Sequence, residues 1–437
     1  MENMPVSRAI IKLALPTMLG MVVQSVYNLT DTFFIGMIGD PDLVAGISIA
    51  MPLFFVTQGI GSLFAVGSAS YISRKLGEKN TDEARRANSV TVYTTLIIGT
   101  LMTVIMFIFK NPLLNLIGTS EDTFVPADEY FTIICIFSNI MILNISMQGL
   151  VRSEGAATKS MIGMVIGLCV NIVLDPIFIL YFDWGVKGAG WATIIGAAIS
   201  CIYYTRFFIS KKSLLSIHLR DMKPNRVMMG EILKIGIPAG LTHIVMSFCG
   251  ALNNIYAAGY GDHVVAAAGV NMRICGLAFM LVMGLAMGFQ PFAGYNYGAK
   301  NYTRLRRGLK LALIYASCIS VAFTIIFYFS GGFLVRFFID DDATVNAGET
   351  MLLAFITGMP FLGIQVTMMS VFQALGKPIR ALIVTLGRQC IAFIPLLIIL
   401  NHAFGFNGYI FVQPVSDNIT TVISVILGVT LFKNLIE

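Results

Sequence analysis

Charged residues are scarce in this chain of 437 residues: 12% are Asp, Glu, Lys or Arg, against about a quarter in an average soluble domain. Hydrophobic residues make up 57% of the sequence, and the mean hydropathy is +0.81. This composition excludes an ordinary soluble domain and indicates a membrane protein. The net charge of +6 does not indicate nucleic acid or another acidic partner, because the basic residues lie in short loops, as membrane orientation requires.

The sequence also lacks the motifs of common energy-coupling and catalytic sites. It has no GxxxxGK[ST] phosphate loop, so ATP is not the expected energy source. It has neither an HExxH motif nor a nucleophile elbow. Its 7 cysteines lie inside apolar runs without a CxxC spacing, which favours buried apolar side chains over disulfides or metal ligands. We therefore expect neither an enzyme nor a protein with a bound cofactor.

Apolar runs of about twenty residues, the length that crosses a bilayer as a helix, recur along the chain. We expect about twelve spans, at roughly 13–36, 43–72, 88–109, 125–151, 160–181, 189–209, 233–258, 264–295, 309–331, 345–374, 380–402 and 408–432. A helix satisfies its own backbone hydrogen bonds in lipid. The predicted fold class is therefore an all-α membrane protein.

The second half of the sequence repeats the first at an offset of about 221 positions. Matching pairs are Pro16 and Pro238, Asp40 and Asp262, Asn80 and Asn301, Gly155 and Gly376, Cys169 and Cys390, and Gly188 and Gly408. Such a long repeat indicates duplication of a large unit, and duplicated halves of membrane transporters usually surround a site that opens to either side in turn. We expect an N-terminal lobe at 1–210, a linker at 211–231 and a C-terminal lobe at 232–437.

Basic residues are concentrated in alternate loops. Lys and Arg lie near 74–86, 152–159, 206–234, 300–310 and 377–380, whereas the other loops are mainly acidic. The positive-inside rule then places both termini and the basic loops in the cytoplasm of a multi-pass cell-membrane protein. Because each repeat has an even number of spans, both halves enter the membrane from the same side. We expect them to be related by a pseudo-two-fold axis along the membrane normal.

Few ionisable residues lie inside the predicted spans, and such residues are functional candidates by default. Asp31 lies in the first span, Asn171 and Asp175 lie one turn apart in the fifth, and Thr193 lies in the sixth. Their oxygens suit a hard cation such as Na⁺, and two close carboxylates would equally carry a proton. The alternative is that they only join helices by hydrogen bonds. Because Asn253 replaces Asp31 in the second half, we expect the charge chemistry mainly in the first.

Five further polar residues are candidates for lining a substrate cavity: Gln24, Asn28, Glu154, Asn253 and Asp417. For Glu154 the alternative is an ion pair with Arg152 at the end of the fourth span. For Asp417 the alternative is a buried ion pair with Arg273. Pro16 removes a backbone hydrogen bond and predicts a bend in the first span, which is a candidate gate.

In combination these residues resemble the multidrug and toxic compound extrusion (MATE) transporters over essentially the whole chain. The matching segments are Leu15-Pro16, 31–36, the Gly77 and Gly298 loops, 152–155, 171–176 and 188–193. Gln413-Pro414 through Asp417 are most similar to the bacterial multidrug-exporter branch. Some relatives have a glutamate in the seventh helix, whereas 242–247 contains no acid here.

The resemblance implies two six-helix lobes around a central cavity, and export driven by Na⁺ or H⁺. It also implies that Asp31, Asn171, Asp175 and Thr193 form the cation-coupling site of the first lobe, with Pro16 at a bend. We therefore expect a secondary antiporter that exports small organic cations and acts as a monomer in the lipid bilayer.

Two alternatives stand beside this expectation. A flippase for a lipid or lipid-linked precursor would be expected to have more basic residues in its cavity. A membrane-embedded enzyme would need a catalytic constellation, and a passive channel would conduct without a coupling ion.

Overall fold

A computed structural model of the chain describes residues 4–36, 41–117, 121–210 and 212–433, without the side chains of 31–33, 35–36, 41–53, 115–117, 121–123, 126 and 186. Every regular element in this described part is a helix, which confirms the predicted all-α class. The α-helices are α1 (Val6–Gly36), α2 (Pro41–Gly77), α3 (Thr81–Ile108), α4 (Lys110–Ile117), α5 (Glu121–Ser153), α6 (Ala157–Pro176), α7 (Gly185–Ile209), α8 (Arg226–Ala258), α9 (Asp262–Gly298), α10 (Tyr302–Phe338), α11 (Asp342–Phe355), α12 (Met359–Ala374), α13 (Pro378–Leu386) and α14 (Phe393–Lys433). Two π-helical segments, Ile177–Tyr181 and Gly387–Ile391, and a 3₁₀ turn, Leu219–Asp221, complete the helical elements.

The lengths of these helices fit a membrane protein with many spans. Among the described residues, nine helical stretches are long and apolar enough to cross a bilayer, and α11 with α12, bent by 56°, form a tenth. One of the nine, Pro378–Lys433, has 56 residues and contains both of the last two expected spans. It is broken at Gly405, whose φ of 58° is a left-handed conformation that glycine adopts without strain. Helix α2 covers the expected second span.

The backbone repeats the duplication seen in the sequence. Left-handed residues fall at matched positions: Lys79 (φ 60°) with Lys300 (53°), Gly155 (87°) with Gly376 (68°), and Gly185 (48°) with Gly405 (58°). The helix that follows each lysine begins with the same cap. The side chain of Asn80 accepts from the amide of Glu83, and that of Asn301 accepts from the amide of Arg304, each at 3.1 Å. Such caps satisfy a backbone N–H that has no partner inside the helix.

The chain divides into two compact units by its own packing. The N-unit is Leu19–Ile244, and the C-unit is Met1–Met18 together with Val245–Glu437. Both boundaries fall inside helices, since α1 leaves the C-unit after Met18 and α8 leaves the N-unit after Ile244. The predicted lobes at 1–210 and 232–437 describe the sequence repeat and stay a prediction. The two units are defined by packing instead.

The first part of α8 packs tightly on α2 within the N-unit. A Cβ atom added to Gly67 would clash with the carbonyl of Ile232, and one added to Gly59 would lie 2.9 Å from the carbonyl oxygen of Gly240. Beyond the glycines, His243 Nε2 lies 2.8 Å from Ser62 Oγ. At the other end of this α2–α8 seam, Arg74 forms a 2.9 Å ion pair with Glu231.

The first part of α1 packs on α9 in the C-unit in the corresponding way. Gly288 is the repeat counterpart of Gly67, and a Cβ atom there would lie 2.5 Å from the Cα of Ala14. Arg304 also donates to the carbonyl of Met4 at 2.7 Å. In each unit, therefore, the leading part of one repeat's first helix packs against a glycine of the other repeat's second helix.

The start of the segment between the repeats is bound to α3. Asn88 Nδ2 and Ser89 Oγ donate to the carbonyl of Ser216 at 2.8 and 2.7 Å, and Tyr93 donates to that of Ile217 at 2.9 Å. The part of the linker around residues 213–218 is consequently a fixed strap on the N-unit.

Candidate functional site

Three of the four predicted coupling residues form one cluster inside the N-unit, which we call the N-cluster: Asn171, Asp175 and Thr193. In the orientation that satisfies its neighbours, the Asn171 amide donates to Asp175 Oδ2 at 2.9 Å and accepts from the backbone amide of Thr193 at 2.9 Å. Thr193 Oγ1 lies 3.2 Å from the Asn171 side chain and donates to the carbonyl of Ala189 at 3.0 Å. Asn171 is 2% exposed and Asp175 is fully buried. The one-turn spacing read from the sequence therefore does bring these groups together.

Glycines allow α6 and α7 to approach closely enough to make the cluster. A Cβ atom on Gly196 would lie 2.5 Å from the carbonyl oxygen of Gly167 and 3.3 Å from the Cβ of Asn171. Ser200 Oγ on α7 donates to the carbonyl of Gly163 on α6 at 2.8 Å, which holds the two helices together below the cluster. A larger residue at Gly196 would push Asn171 away from Thr193.

The regular helix α6 ends at Pro176, the residue after Asp175. Pro176 has no N–H to continue the backbone ladder, and the segment Ile177–Tyr181 is π-helical. The amide of Phe182 closes this turn on the carbonyl of Ile177 at 2.9 Å. Single π-helical turns inside α-helices are common at functional sites, so this backbone feature agrees with a functional role for Asp175.

The side chain of Asp31, the fourth predicted coupling residue, lies outside the described residues. Its backbone belongs to the part of α1 that lies in the N-unit, the unit that also holds the N-cluster. Gln24 Nε2 donates to Asn28 Oδ1 at 3.2 Å on the same helix. Positions 24, 28 and 31 follow the i, i+4, i+7 spacing of one helix face, so position 31 continues the stripe of polar positions that begins at Gln24.

The N-cluster contains oxygen atoms of the kinds that bind a proton or a small hard cation. A buried carboxylate is costly to keep ionised unless hydrogen-bond donors or a cation compensate it, and carboxylate, amide and hydroxyl oxygens are ligands of hard cations. Within the described part of the chain, no group of three or more His, Cys, Asp or Glu side chains is arranged to hold a metal ion. The described side chains of the cluster therefore offer carboxylate, amide and hydroxyl oxygens as donors.

Glu154 contacts the strap, and the alternative of an ion pair with Arg152 is wrong. Its carboxylate accepts from Ser213 Oγ at 3.0 Å and from the amide of Leu214 at 2.9 Å. Arg152 instead lies 3% exposed in the protein. Neighbouring positions at a helix end point in different directions, and the turn at Gly155 directs Glu154 towards the strap. Its predicted role in a substrate cavity stays a prediction.

Asp417 is engaged by a cation, but its partner is Arg388 and not Arg273. Arg388 Nε donates to Asp417 Oδ1 at 2.8 Å. Arg273 is exposed on α9, whereas the π-helical segment Gly387–Ile391 carries Arg388 next to α14. Asn253, the counterpart of Asp31, is half-buried, and its carbonyl accepts from Tyr409 at 3.4 Å.

Two other sites bear on the predicted gate. Helix α1 continues through Pro16, and it passes from one unit to the other two residues later, after Met18. His243, next to the unit boundary in α8, was not a candidate in the sequence, although it is bonded to Ser62. The signal that could have singled it out is its type, because a histidine inside a membrane span is rare and needs a polar partner.

A duplicated helical membrane fold with buried carboxylates inside its helices is typical of secondary transporters. The sequence model of the MatE family matches residues 16–177 and again 238–399. The chain belongs to this family, and it is a transporter and not an enzyme. The two matched segments begin 222 positions apart (238 − 16 = 222), which agrees with the repeat in the sequence to within two positions.

Relatives and solved structures resemble the chain over almost its full length. The multidrug export protein MepA of Staphylococcus aureus strain NCTC 8325 / PS 47 is 30% identical over 98% of this chain and 94% of its own. MepA of Staphylococcus saprophyticus is 28% identical over the same shares. A solved structure of a multidrug resistance MATE family transporter in an outward-facing conformation has a TM-score of 0.94 at 25% identity, covering 99% of this chain and 97% of that one. A MOP superfamily transporter from Pyrococcus furiosus has the same fold, with a TM-score of 0.94 at 24% identity over 100% and 98% of the two chains.

Proposed function

We propose that this transporter exports organic cations, including drugs, in exchange for Na⁺ or H⁺. The observation that carries the proposal is the N-cluster, a fully buried Asp175 hydrogen-bonded to Asn171 on a helix pair held together by glycines. The staphylococcal relatives match almost the whole chain and are named multidrug export proteins, which supports drugs as substrates.

In this proposal Asp31, Asn171, Asp175 and Thr193 bind the coupling ion, and no further cofactor is needed. Antiport requires the ion and the substrate to favour different conformations, since a ligand shifts an equilibrium only through its different affinity for the two states. Ion binding to the N-cluster would favour release of the substrate outside and return of the empty cavity to the inside. The protein would act as a monomer in the cell membrane, with both termini and the basic loops in the cytoplasm.

The test is efflux of a fluorescent lipophilic cation from proteoliposomes, with a Na⁺ gradient and a pH gradient imposed separately. Efflux driven by Na⁺ at constant pH would identify a metal-ion site, and efflux driven only by the pH gradient would identify a proton site. Absence of efflux under both gradients would contradict the proposal.

Asp175→Asn and Asp31→Asn should each abolish ion-driven efflux. The uncharged amide can neither balance the charge of a bound cation nor take up and release a proton. The matched control is Asp342→Asn, which removes an exposed carboxylate paired with Arg336 at 2.7 Å outside the candidate site. It should leave efflux unchanged. Wild-type efflux in either N-unit variant, with normal insertion, would rule out the proposed coupling site.

A further inference from the structure

The C-unit contains a second buried polar cluster, which we call the C-cluster: Arg388, Gln413 and Asp417. Arg388 Nε donates to Asp417 Oδ1 at 2.8 Å, and Nη2 lies 3.4 Å from Oδ2. Gln413 Nε2 donates to Asp417 Oδ1 at 2.8 Å. The side chains of Arg388 and Asp417 are only 15% and 5% exposed. This is a charge-assisted, forked ion pair, the strongest kind of side-chain hydrogen bonding between these residue types.

Several contacts hold the guanidinium of Arg388 in place. It lies over the ring of Phe279, 5.1 Å from the centroid, where the face of the ring attracts a cation. Ser416 Oγ donates to the carbonyl of Arg388 at 2.7 Å. The π-helical turn closes beside it, with the amide of Ala392 on the carbonyl of Gly387 at 2.9 Å. Arg388 is thus held by the hydrogen bond to its backbone carbonyl, by the contact of its guanidinium with the Phe279 ring and by the ion pair with Asp417.

The two repeats have placed different groups at corresponding points of the same helix pair. At the 221-residue offset of Cys169 and Cys390, Arg388 corresponds to Gly167 (388 − 167 = 221). At the 220-residue offset of Gly188 and Gly408, Gln413 corresponds to Thr193 (413 − 193 = 220). Where the N-unit has a glycine without a side chain, the C-unit therefore has a permanent cation. Where the N-cluster has the neutral Thr193, the C-cluster has the neutral Gln413.

Arg388 is the charged group that faces Asp417 from the surrounding elements. Helix α12 has no charged residue in its sequence. On α13, Arg380 donates to the carbonyl of Leu427 at 3.0 Å. On α11, Glu349 lies against Gly332 of α10, and on α9 Arg273 is exposed.

We propose that Arg388 is a built-in counter-ion that makes the C-cluster independent of the coupling ion. A guanidinium stays protonated throughout the physiological range, so Asp417 is neutralised without a proton or Na⁺ from solution. Arg388 is therefore a positioning residue that keeps the C-unit carboxylate out of the coupling cycle. The exchange of ions is thereby confined to the N-cluster. This inference rests on the proposed ion coupling in the N-unit.

The first experiment measures cation binding at equilibrium, without transport. Purified Arg388→Gln protein is compared with the double variant Arg388→Gln/Asp417→Asn by potentiometric titration and by ²²Na⁺ binding. Removing the guanidinium leaves a buried carboxylate that must take up a cation or a proton. We expect Arg388→Gln to bind about one more proton or Na⁺ per molecule than the double variant. Equal binding by the two proteins would overturn the proposal.

If Arg388→Gln does not fold, a comparison of the wild type with the double variant still tests the proposal. The wild type and the charge-neutral double variant should take up the same number of protons between about pH 5 and 9. In the wild type, the guanidinium already balances the charge of the Asp417 carboxylate, so no proton is needed there. One additional proton bound by the wild type in this range would show that Asp417 titrates despite Arg388, and would overturn the proposal.

Efflux from proteoliposomes supplies the functional arm. Whatever its rate of efflux, the double variant should respond to the same ion gradient as the wild type. Efflux by a folded double variant that no longer responds to this gradient would make Asp417 itself a coupling residue and reject the inference. Failure of the proposed function gives a different result, because wild-type efflux would then be absent or independent of both gradients, while the equilibrium titrations would still report on Asp417.

Discussion

At the scale of single residues, protonation of Glu154 is coupled to the contact between its carboxyl group and the strap. Burial raises the pKa of its carboxyl from 4.5 to about 7, although hydrogen bonds from Leu214 and Ser213 oppose the shift. The carboxyl lies outside the apolar spans, between α5 and α6, where solvent protons reach it. Ionisation of one side chain therefore changes how favourably residues 213–215 are held.

Glu154→Gln should stabilise the protein in alkaline solution and have little effect in acid. Between pH 4.5 and 7 the folded protein keeps a proton that the unfolded chain has released, so stability falls as the pH rises through this window. At pH 8 the neutral glutamine should gain on the order of 1–3 kcal/mol over the ionised carboxylate. Thermal unfolding in detergent at several pH values measures this. A melting-temperature difference that is the same at pH 5 and pH 8 would contradict the shifted pKa.

The polar residues of the two clusters are more evident in the sequence than the partners that they bind. Asn171, Asp175 and Thr193 were found because a one-turn spacing and adjacent helices confine the possible contacts. Arg388 was visible as a charge in a span, but its pairing with Asp417 depends on a π-helical turn at Gly387–Ile391. No hydrophobic period encodes such a turn, and so the pairing with Arg273 was an equally good reading of the sequence.

At the scale of elements, the seam between α2 and α8 depends on the absence of a side chain. Gly67→Ala should disrupt it, because the added methyl group would meet the carbonyl of Ile232, which cannot move without its helix. Overpacking of this kind costs about 1–3 kcal/mol. We expect a lower melting temperature and slower efflux, measured on the same preparation.

Gly230→Ala is the matched control for Gly67→Ala. Gly230 lies in α8 of the same unit, and nothing lies within 4 Å of its added Cβ. Alanine there should stabilise the helix by roughly 0.5–1 kcal/mol, as it does in helix interiors generally. Equal losses of stability in the two variants would show that the seam is not close-packed.

The helices themselves were largely predictable, because twenty-residue apolar runs have few other solutions in lipid. The predicted tenth span at 345–374 is bent between α11 and α12 by 56°, at Gly358 and just before Pro360, two helix-breaking residues that hydropathy alone does not register. The exchange of the first parts of α1 and α8 between the units was not predictable either. In the order of the sequence, the first parts of α1 and α8 belong to the first and the second repeat. In the structure, the first part of α8 packs against Gly67 of the first repeat, and the first part of α1 packs against Gly288 of the second.

At the scale of the whole molecule, the exchange predicts that two separate half-chains assemble. Residues 1–222 and 223–437, expressed together, should give a transporter, since 226–244 completes the N-unit and 1–18 completes the C-unit. The cut leaves the strap on α3 intact. Co-purification through a tag on one fragment, followed by efflux measurements, tests this.

The control for the split chain is the same pair without residues 1–18. The C-unit then lacks the part of α1 that packs on Gly288, while 226–244 still packs on α2, and we expect weaker co-purification and loss of efflux. Half-chains that never associate, or that associate equally well without residues 1–18, would contradict a role for the exchanged parts in assembly.

Two chains that trade an identical element form a domain-swapped dimer, and the traded parts of α1 and α8 have this relation within one chain. A six-helix ancestor with the same trade would have been a homodimer before it was a single polypeptide. Fusion of its genes would then have replaced a bimolecular equilibrium by an effective concentration of roughly millimolar. The two copies could then diverge within one chain, and today Asp175 is hydrogen-bonded to Asn171 in the N-unit, whereas Asp417 is paired with Arg388 in the C-unit.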